Sequence, residues 1–98
     1  MTIDKHIENG NARYALQGRL DTTTAPELEQ ALKGDMPGIN ALTLDFSQLD
    51  YISSAGLRVL LSAHKVMSKK GGMKITNANE MVREVFDVTG FADILDIE

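Results

Sequence analysis

The alternation of apolar and polar residues predicts a strand, a polar turn and a helix between Ala41 and Leu61. Leu42, Leu44 and Phe46 alternate with their neighbours at the period of two that is typical of a strand. Beyond Asp50 the apolar residues recur at helical spacing, and a run of small residues separates the two patterns. We expect the helix to begin within that small-residue run.

The chain before this stretch has the pattern of a β-hairpin followed by a helix. Asn9-Gly10 favours a type I′ turn, because both residues tolerate positive φ, and it separates two short strand patterns over Thr2–Ile7 and Ala12–Gln17. Thr24 is followed three residues later by Glu27, which is the spacing of a capping box. A helix is therefore predicted to begin near Thr24.

The chain after the central helix, which is predicted to end near Lys69, continues with a strand over Met73–Thr76. Strand, helix and strand at this spacing form a βαβ unit with a parallel pair and a right-handed crossover. Asn79 is placed to cap a last helix, and Ile94–Ile97 can add an edge strand. The inner face of that last helix is predicted to comprise Met81, Val85, Phe86 and Val88. The fold class is α/β, with about five strands in one mixed sheet and about three helices mainly on one face.

Composition narrows the function classes. The 98 residues suffice for one domain spanning residues 1–98. A net charge of −4 without a basic run argues against nucleic-acid binding, and no apolar run approaches the ~20 residues of a membrane span. The chain has no cysteine, which excludes disulfides and thiolate metal sites. The N-terminus is too polar for a signal peptide, so we expect a cytoplasmic protein. From the composition we also expect no metal, no cofactor and no membrane insertion.

The small-residue run carries the candidate chemistry. Ser54 lies two residues before Gly56, at the predicted N-cap of the central helix, where its hydroxyl can accept a bond from a first-turn amide. The helix dipole and the unpaired amides make this point electropositive, and Ala55 and Gly56 let a partner approach closely. Two interpretations stay open: Ser54 is only a cap, or it is a hydroxyl that a partner phosphorylates.

Four stretches of the chain form a set of motifs that extends over nearly its whole length. They are Gly18-Arg19-Leu20-Asp21, the region Phe46–Leu61 with its Ser54-Ala55-Gly56-Leu57 turn, Gly71-Gly72, and Val82–Phe91. In this order they together resemble the STAS domain of bacterial anti-sigma-factor antagonists.

The resemblance implies a protein–protein switch. In the family, a kinase-type anti-sigma factor phosphorylates a serine at the start of the helix after the central strand, and a phosphatase resets it. The unphosphorylated form binds that kinase and frees a sigma factor. The matching serine is Ser54, and Ser53 stands where many members carry Asp, which makes it a second candidate. The implied partner-binding residues are Asp21, Ser53, Ala55, Gly56 and Leu57.

Two other functions stay open. Domains that resemble this one also serve without phosphorylation, for example as accessory subunits of lipid transporters. A small enzyme would need a base for Ser54, but His64 lies more than two helical turns away and no nucleophile elbow surrounds the serine. We therefore expect a monomeric regulator rather than an enzyme.

Overall fold

The structure is a computed structural model that describes all 98 residues. Five strands form one sheet in chain order, with β1 antiparallel to β2 and every other neighbouring pair parallel. The hairpin turn is confirmed, because Asn9 and Gly10 both have positive φ, at 53° and 79°. The strands are β1 Thr2–Glu8, β2 Asn11–Leu20, β3 Ala41–Ile52, β4 Met73–Thr76 and β5 Asp96–Ile97.

Three α-helices connect successive parallel strands. A right-handed crossover between each neighbouring pair places all three helices on the same face of the sheet. The predicted α/β fold with a five-stranded mixed sheet and three helices is confirmed. The helices are α1 Ala25–Asp35, α2 Ser54–Met67 and α3 Glu80–Thr89, and short 3₁₀ turns follow α1 at Met36–Gly38 and α3 at Phe91–Asp93.

The core lies between the sheet and this helix layer. Leu44 and Phe46 of β3 are fully buried, as is Tyr14 of β2, and the ring of Phe46 stacks on Phe86 of α3 with centroids 6.4 Å apart. The Tyr14 hydroxyl donates to the Asp35 carboxylate at the end of α1. Burial and this hydrogen bond both raise the pKa of Tyr14, so its hydroxyl stays protonated.

Two sequence predictions are wrong in detail. The segment after Phe46, where a polar turn was expected, continues as strand β3 to Ile52. It does so because β2 pairs with β3 as far as Leu20, the last residue of β2, and two register shifts accommodate its irregular polar pattern. In α3, Phe86 faces the core as predicted, but Met81 and Val88 are 57% and 77% exposed, and Val82 is the second buried residue of the inner face. Residues 82 and 86 are four apart and define the inner stripe, which the others flank.

The start of α2 packs tightly on the ends of β2 and β3. A Cβ atom added at Gly56 would lie 2.7 Å from Leu20 Cγ and 2.9 Å from Ile52 Cγ1. Real Cβ contacts are not this short, so only glycine lets the first turn of α2 reach this position. The close approach fixes where the helix begins relative to both strands.

Asp45 is the one buried charged residue and lies on the sheet face opposite the helices. Its carboxylate accepts bonds from Arg13 Nη2 at 2.6 Å, Asn77 Nδ2 at 3.0 Å and the Ser47 amide at 3.0 Å. Burial alone would raise the pKa of Asp45, but these donors outweigh it and hold that pKa below its usual value. The network ties β2, β3 and the loop after β4 together.

Gly56→Ala should destabilise the protein although alanine is the better helix former. The added methyl group overpacks the contact with Leu20 and Ile52 at a cost of about 1–3 kcal/mol, against a propensity gain of up to about 1 kcal/mol. Gly34→Ala in α1 is the matched control, because no atom lies within 4 Å of its added Cβ, and it should stabilise the fold. Urea unfolding measures both; a stabilised Gly56→Ala variant contradicts the packing argument.

Asp45→Asn should lower the free energy of unfolding by about 1–2 kcal/mol at pH 7, because charge-assisted hydrogen bonds are replaced by neutral ones. The folded pKa lies below the unfolded value, so the unfolded chain binds more protons in acid. The stabilisation from Asp45 is then present above about pH 4 and lost as pH falls through the folded pKa. Denaturant titrations across this range should show a shallower acid slope for Asp45→Asn than for wild type.

Candidate functional site

The candidate site is the edge of the sheet where β2 and β3 end side by side. Leu20 and Ile52 are the last paired residues of the two parallel strands, and the Ser53 amide donates to the Leu20 carbonyl at 2.9 Å. Asp21 and Ser53 therefore leave the sheet at the same edge. We call this corner of the molecule the junction, and it consists of Asp21 and residues 53–57.

The two serines of the junction occupy different environments. Ser53, not Ser54 as predicted, is the N-cap of α2, with extended backbone (φ −106°, ψ 176°). Neither hydroxyl caps the helix: Ser53 Oγ is buried without a hydrogen-bond partner, and Ser54, the first helical residue, is exposed. The prediction of a capping role for Ser54 is wrong because β3 runs up to Ile52, directly before the serine pair, so that Ser53 is the N-cap and Ser54 is already helical.

The rest of the junction is built from small or inward-facing residues. Ala55 is half-buried, and Gly56 and Leu57 are buried, with Leu57 at 6% exposure. The Leu57 amide donates to the Ser53 carbonyl at 3.0 Å, which forms the first turn of α2. Ser54 is thus the exposed hydroxyl of this turn, and its neighbours hold the turn against the sheet.

The first turn of α2 is electropositive and carries no acidic side chain. The other two helices differ, since Glu27 lies in the first turn of α1 and Glu80 in that of α3. Acidic residues at these positions compensate the positive end of the helix dipole. The start of α2 is left uncompensated, so an added negative charge there is favoured within this chain.

Asp21 has a structural task in the junction. Its Oδ1 accepts bonds from the amides of Thr23 at 3.0 Å and Thr24 at 3.1 Å, and its carbonyl accepts from the Ala25 amide at 2.7 Å. The bond from the Thr24 amide is the main cause that lowers the pKa of Asp21 below its usual value. Thr24 was predicted to cap α1 through a capping box, but its Oγ1 instead donates to the Arg19 carbonyl at 2.7 Å. The Asp21 carboxylate thus holds the turn that precedes α1, and the first amide of the helix bonds to the Asp21 backbone carbonyl.

Residues beyond those predicted border the junction. Arg58 is exposed on α2 four positions after Ser54, so both lie on one side of the helix. It lines a shallow cleft of about 380 Å³ between α1 and α2, which Ala55 and Lys65 also border. The spacing of four residues between Ser54 and Arg58 is visible in the sequence and could have indicated that both lie on one side of the helix. The cleft could not have been predicted in this way, because it depends on how α1 packs against α2.

Arg19 and Tyr51 form a second pair that the sequence did not indicate. Their strands place them opposite each other, and the Arg19 guanidinium lies 4.4 Å from the Tyr51 ring centroid. Arg19 also approaches the Asp21 carboxylate at 3.6 Å. A cation therefore lies beside the acidic residue of the junction.

His64 of α2 is half-buried, and its Nδ1 is buried without a partner. It borders a different cavity with Ser68 and Lys74, at the far end of α2 from Ser54.

No group of three or more His, Cys, Asp or Glu side chains comes together as a metal site. None of the helices has the length and apolarity needed to span a bilayer.

Comparison with known proteins places this geometry in a family. The family model for the STAS domain matches residues 2–98. A Bordetella bronchiseptica protein whose name describes it as the anti-sigma factor antagonist BtrV is 37% identical, over 99% of this chain and 84% of its own length. The anti-sigma-B factor antagonist of Bacillus subtilis is 29% identical, over 99% of this chain and 90% of its own.

A solved structure agrees with these sequence matches. The crystal structure of an anti-sigma factor antagonist from Mycobacterium paratuberculosis superposes with a TM-score of 0.88 at 25% identity. The match covers 98% of this chain and 83% of that one. Sequence and fold thus agree over the whole described chain, and the protein belongs to the STAS-domain family of anti-sigma-factor antagonists.

Proposed function

We propose that this protein is an anti-sigma-factor antagonist that binds a kinase-type anti-sigma factor through the junction and is released when that kinase phosphorylates Ser54. The names of its relatives support the general function. The observation that carries the finer proposal is the exposed Ser54 hydroxyl at the uncompensated positive end of α2. A phosphoserine phosphatase returns the protein to its binding form.

Ser54 is a better phosphate acceptor than Ser53. An incoming γ-phosphoryl group must reach the attacking oxygen in line, and Ser53 Oγ is buried. Ser54 is exposed and makes no side-chain hydrogen bond that would have to break first. The kinase supplies the catalytic groups, and this chain supplies the hydroxyl and its presentation.

Phosphorylation should change the surface and leave the fold intact. A phosphate adds about −1.5 to −2 charges at neutral pH, and the start of α2 tolerates them. Arg58, one turn along, is placed to pair with the phosphate within the same chain. At an interface the same charge must be desolvated or face acidic groups. A penalty of about 3 kcal/mol weakens binding about a hundredfold.

The partner surface follows from exposure around the junction. Ser54 and Ala55 offer little side chain, so a partner can approach the backbone of α2 closely. Asp21 lies at the same sheet edge and adds a negative charge held by its own turn. The buried residues Gly56 and Leu57 contribute by holding the turn in place. The binding surface is therefore preformed, and binding needs no refolding of this chain.

Ser54→Asp should lose binding to the anti-sigma-factor kinase encoded nearest to its gene, by about a hundredfold in Kd, with an unchanged or slightly raised melting temperature. An acidic side chain suits the first turn but adds charge to the interface. Asn11→Asp is the control, because it adds one charge at an exposed position at the opposite end of β2. Calorimetric titration measures affinity. Equal binding by Ser54→Asp and wild type contradicts the switch and leaves a constitutive scaffold.

Incubation with that kinase and ATP should add one phosphate, or about 80 Da, to the intact mass of the wild-type protein. Ser54→Ala should show no gain, whereas Ser53→Ala should still gain it and remain folded, since its hydroxyl makes no hydrogen bond. Intact-mass spectrometry gives the result directly. A gain that persists in Ser54→Ala removes Ser54 from the proposed role.

A further inference from the structure

The two edges of the sheet are protected to different degrees. The β5 edge is a strand of two residues, which offers little to pair with. The β1 edge is seven residues long, contains neither proline nor glycine, and is exposed at every position except the half-buried Ile3. One side of β1 pairs with β2, and the other presents unpaired backbone amides and carbonyls to solvent.

Of the devices that block such an edge, proline, bulges and a short strand are absent from β1, and only charged side chains remain. Its pairing with β2 runs through all seven residues without a bulge. Lys5 is the one basic residue that could repel another strand, but its Nζ is bound to the Asp35 carboxylate at 3.0 Å. It also lies 5.9 Å from the centroid of the Tyr14 ring. The lysine is thus turned onto α1 and its charge is partly neutralised.

We propose that β1 pairs antiparallel with β1 of a second copy of this chain, about a two-fold axis at Lys5, to form a ten-stranded sheet. Ile3 and Ile7 lie on the helix face, because they pair with the buried Leu16 and Ala12 of β2. In the dimer each Ile3 lies opposite Ile7 of the second copy. This contact covers Ile7, which is 46% exposed in the single chain.

The polar side chains on the other face select this register. With the axis at Lys5, each Asp4 carboxylate lies opposite His6 of the second copy, whose imidazole can donate a hydrogen bond to it, and the pair is made twice. Moving the axis to Asp4 would oppose two aspartates. Moving it to His6 would oppose Asp4 and Glu8. A slip of one residue would place the helix layers on opposite faces, which the two-fold axis forbids.

The interface is of the weak, concentration-dependent class. Pairing two seven-residue edges covers one strand per copy and falls well below the area of a stable obligate dimer. Lys5 also meets Lys5 of the second copy, with Asp35 beside each. The dimer therefore forms by mass action at high protein concentration and does not depend on the proposed function. It departs from the monomer that the sequence suggested.

Sedimentation equilibrium of the whole chain, from about 10 μM to about 1 mM, tests the dimer. The weight-average mass should rise from 10.7 kDa toward twice that value. Ile7→Lys should hold the mass at that of one chain by placing a charge opposite Ile3. Ile94→Lys is the matched control, because Ile94 is 48% exposed against 46% for Ile7 and lies far along the chain from β1. A constant wild-type mass, or equal effects of the two variants, overturns the proposal.

A cysteine at the axis tests the register. The chain has no cysteine, so Lys5→Cys carries a single thiol opposite its own copy. Directly opposed antiparallel residues have Cα atoms about 4.5–5.5 Å apart, within the reach of a disulfide. Mild oxidation should give covalent dimers at least tenfold faster than for Ser68→Cys, an exposed position on α2. Equal rates overturn this register.

Asp4→His should weaken association, and Asp4→His with His6→Asp should restore it.

Discussion

The structure depends on two parallel strands that end in register and a helix that starts directly on top of them. β2 and β3 pair to their last residues, Leu20 and Ile52, and the Ser53 amide closes the end with a bond to the Leu20 carbonyl. Gly56 lets the first turn of α2 approach within a distance that no side chain tolerates. These contacts are backbone pairing and close packing, so they fix where α2 begins relative to both strands and leave the Ser54 side chain exposed.

In the proposed function, charge alone acts as the signal. Asp21 is held by the amides of its own turn, which keeps its pKa low and its charge fixed at neutral pH. The first turn of α2 carries no acidic side chain. Within the chain, a phosphate at Ser54 would therefore meet favourable dipoles, and its cost would fall on whatever surface lies opposite. A switch of this kind needs no conformational change in the antagonist.

The one-sided helix layer decides the remaining surfaces. Because all three helices cover one face, the other face must satisfy its own polar groups, and Asp45 does so with Arg13 and Asn77. The same architecture leaves two sheet edges that no helix covers. One edge is shortened to two residues, and the other, β1, is long and regular. The molecule thus separates the corner that carries the exposed Ser54 from the edge that is open to strand pairing.

The sequence by itself determined the order of the elements, because periodicity, turn chemistry and capping are local. Asn9-Gly10 made the hairpin turn, Asn79 capped α3 through a bond from the Val82 amide, and Gly90 ended that helix in the left-handed conformation. It also located the junction, since small residues between a strand and a helical pattern mark a helix start.

Only the tertiary structure decided which side chains face inward or outward, because that depends on neighbours distant in sequence. Pairing with β2 extended β3 through residues whose pattern suggested a turn. The packing of α3 on the sheet buried Val82 and left Met81 and Val88 in solvent, although the pattern had placed Met81 and Val88 on the inner face. The same packing separated the two serines: one hydroxyl is buried under the start of α2 and the next is exposed, a difference that local sequence cannot encode.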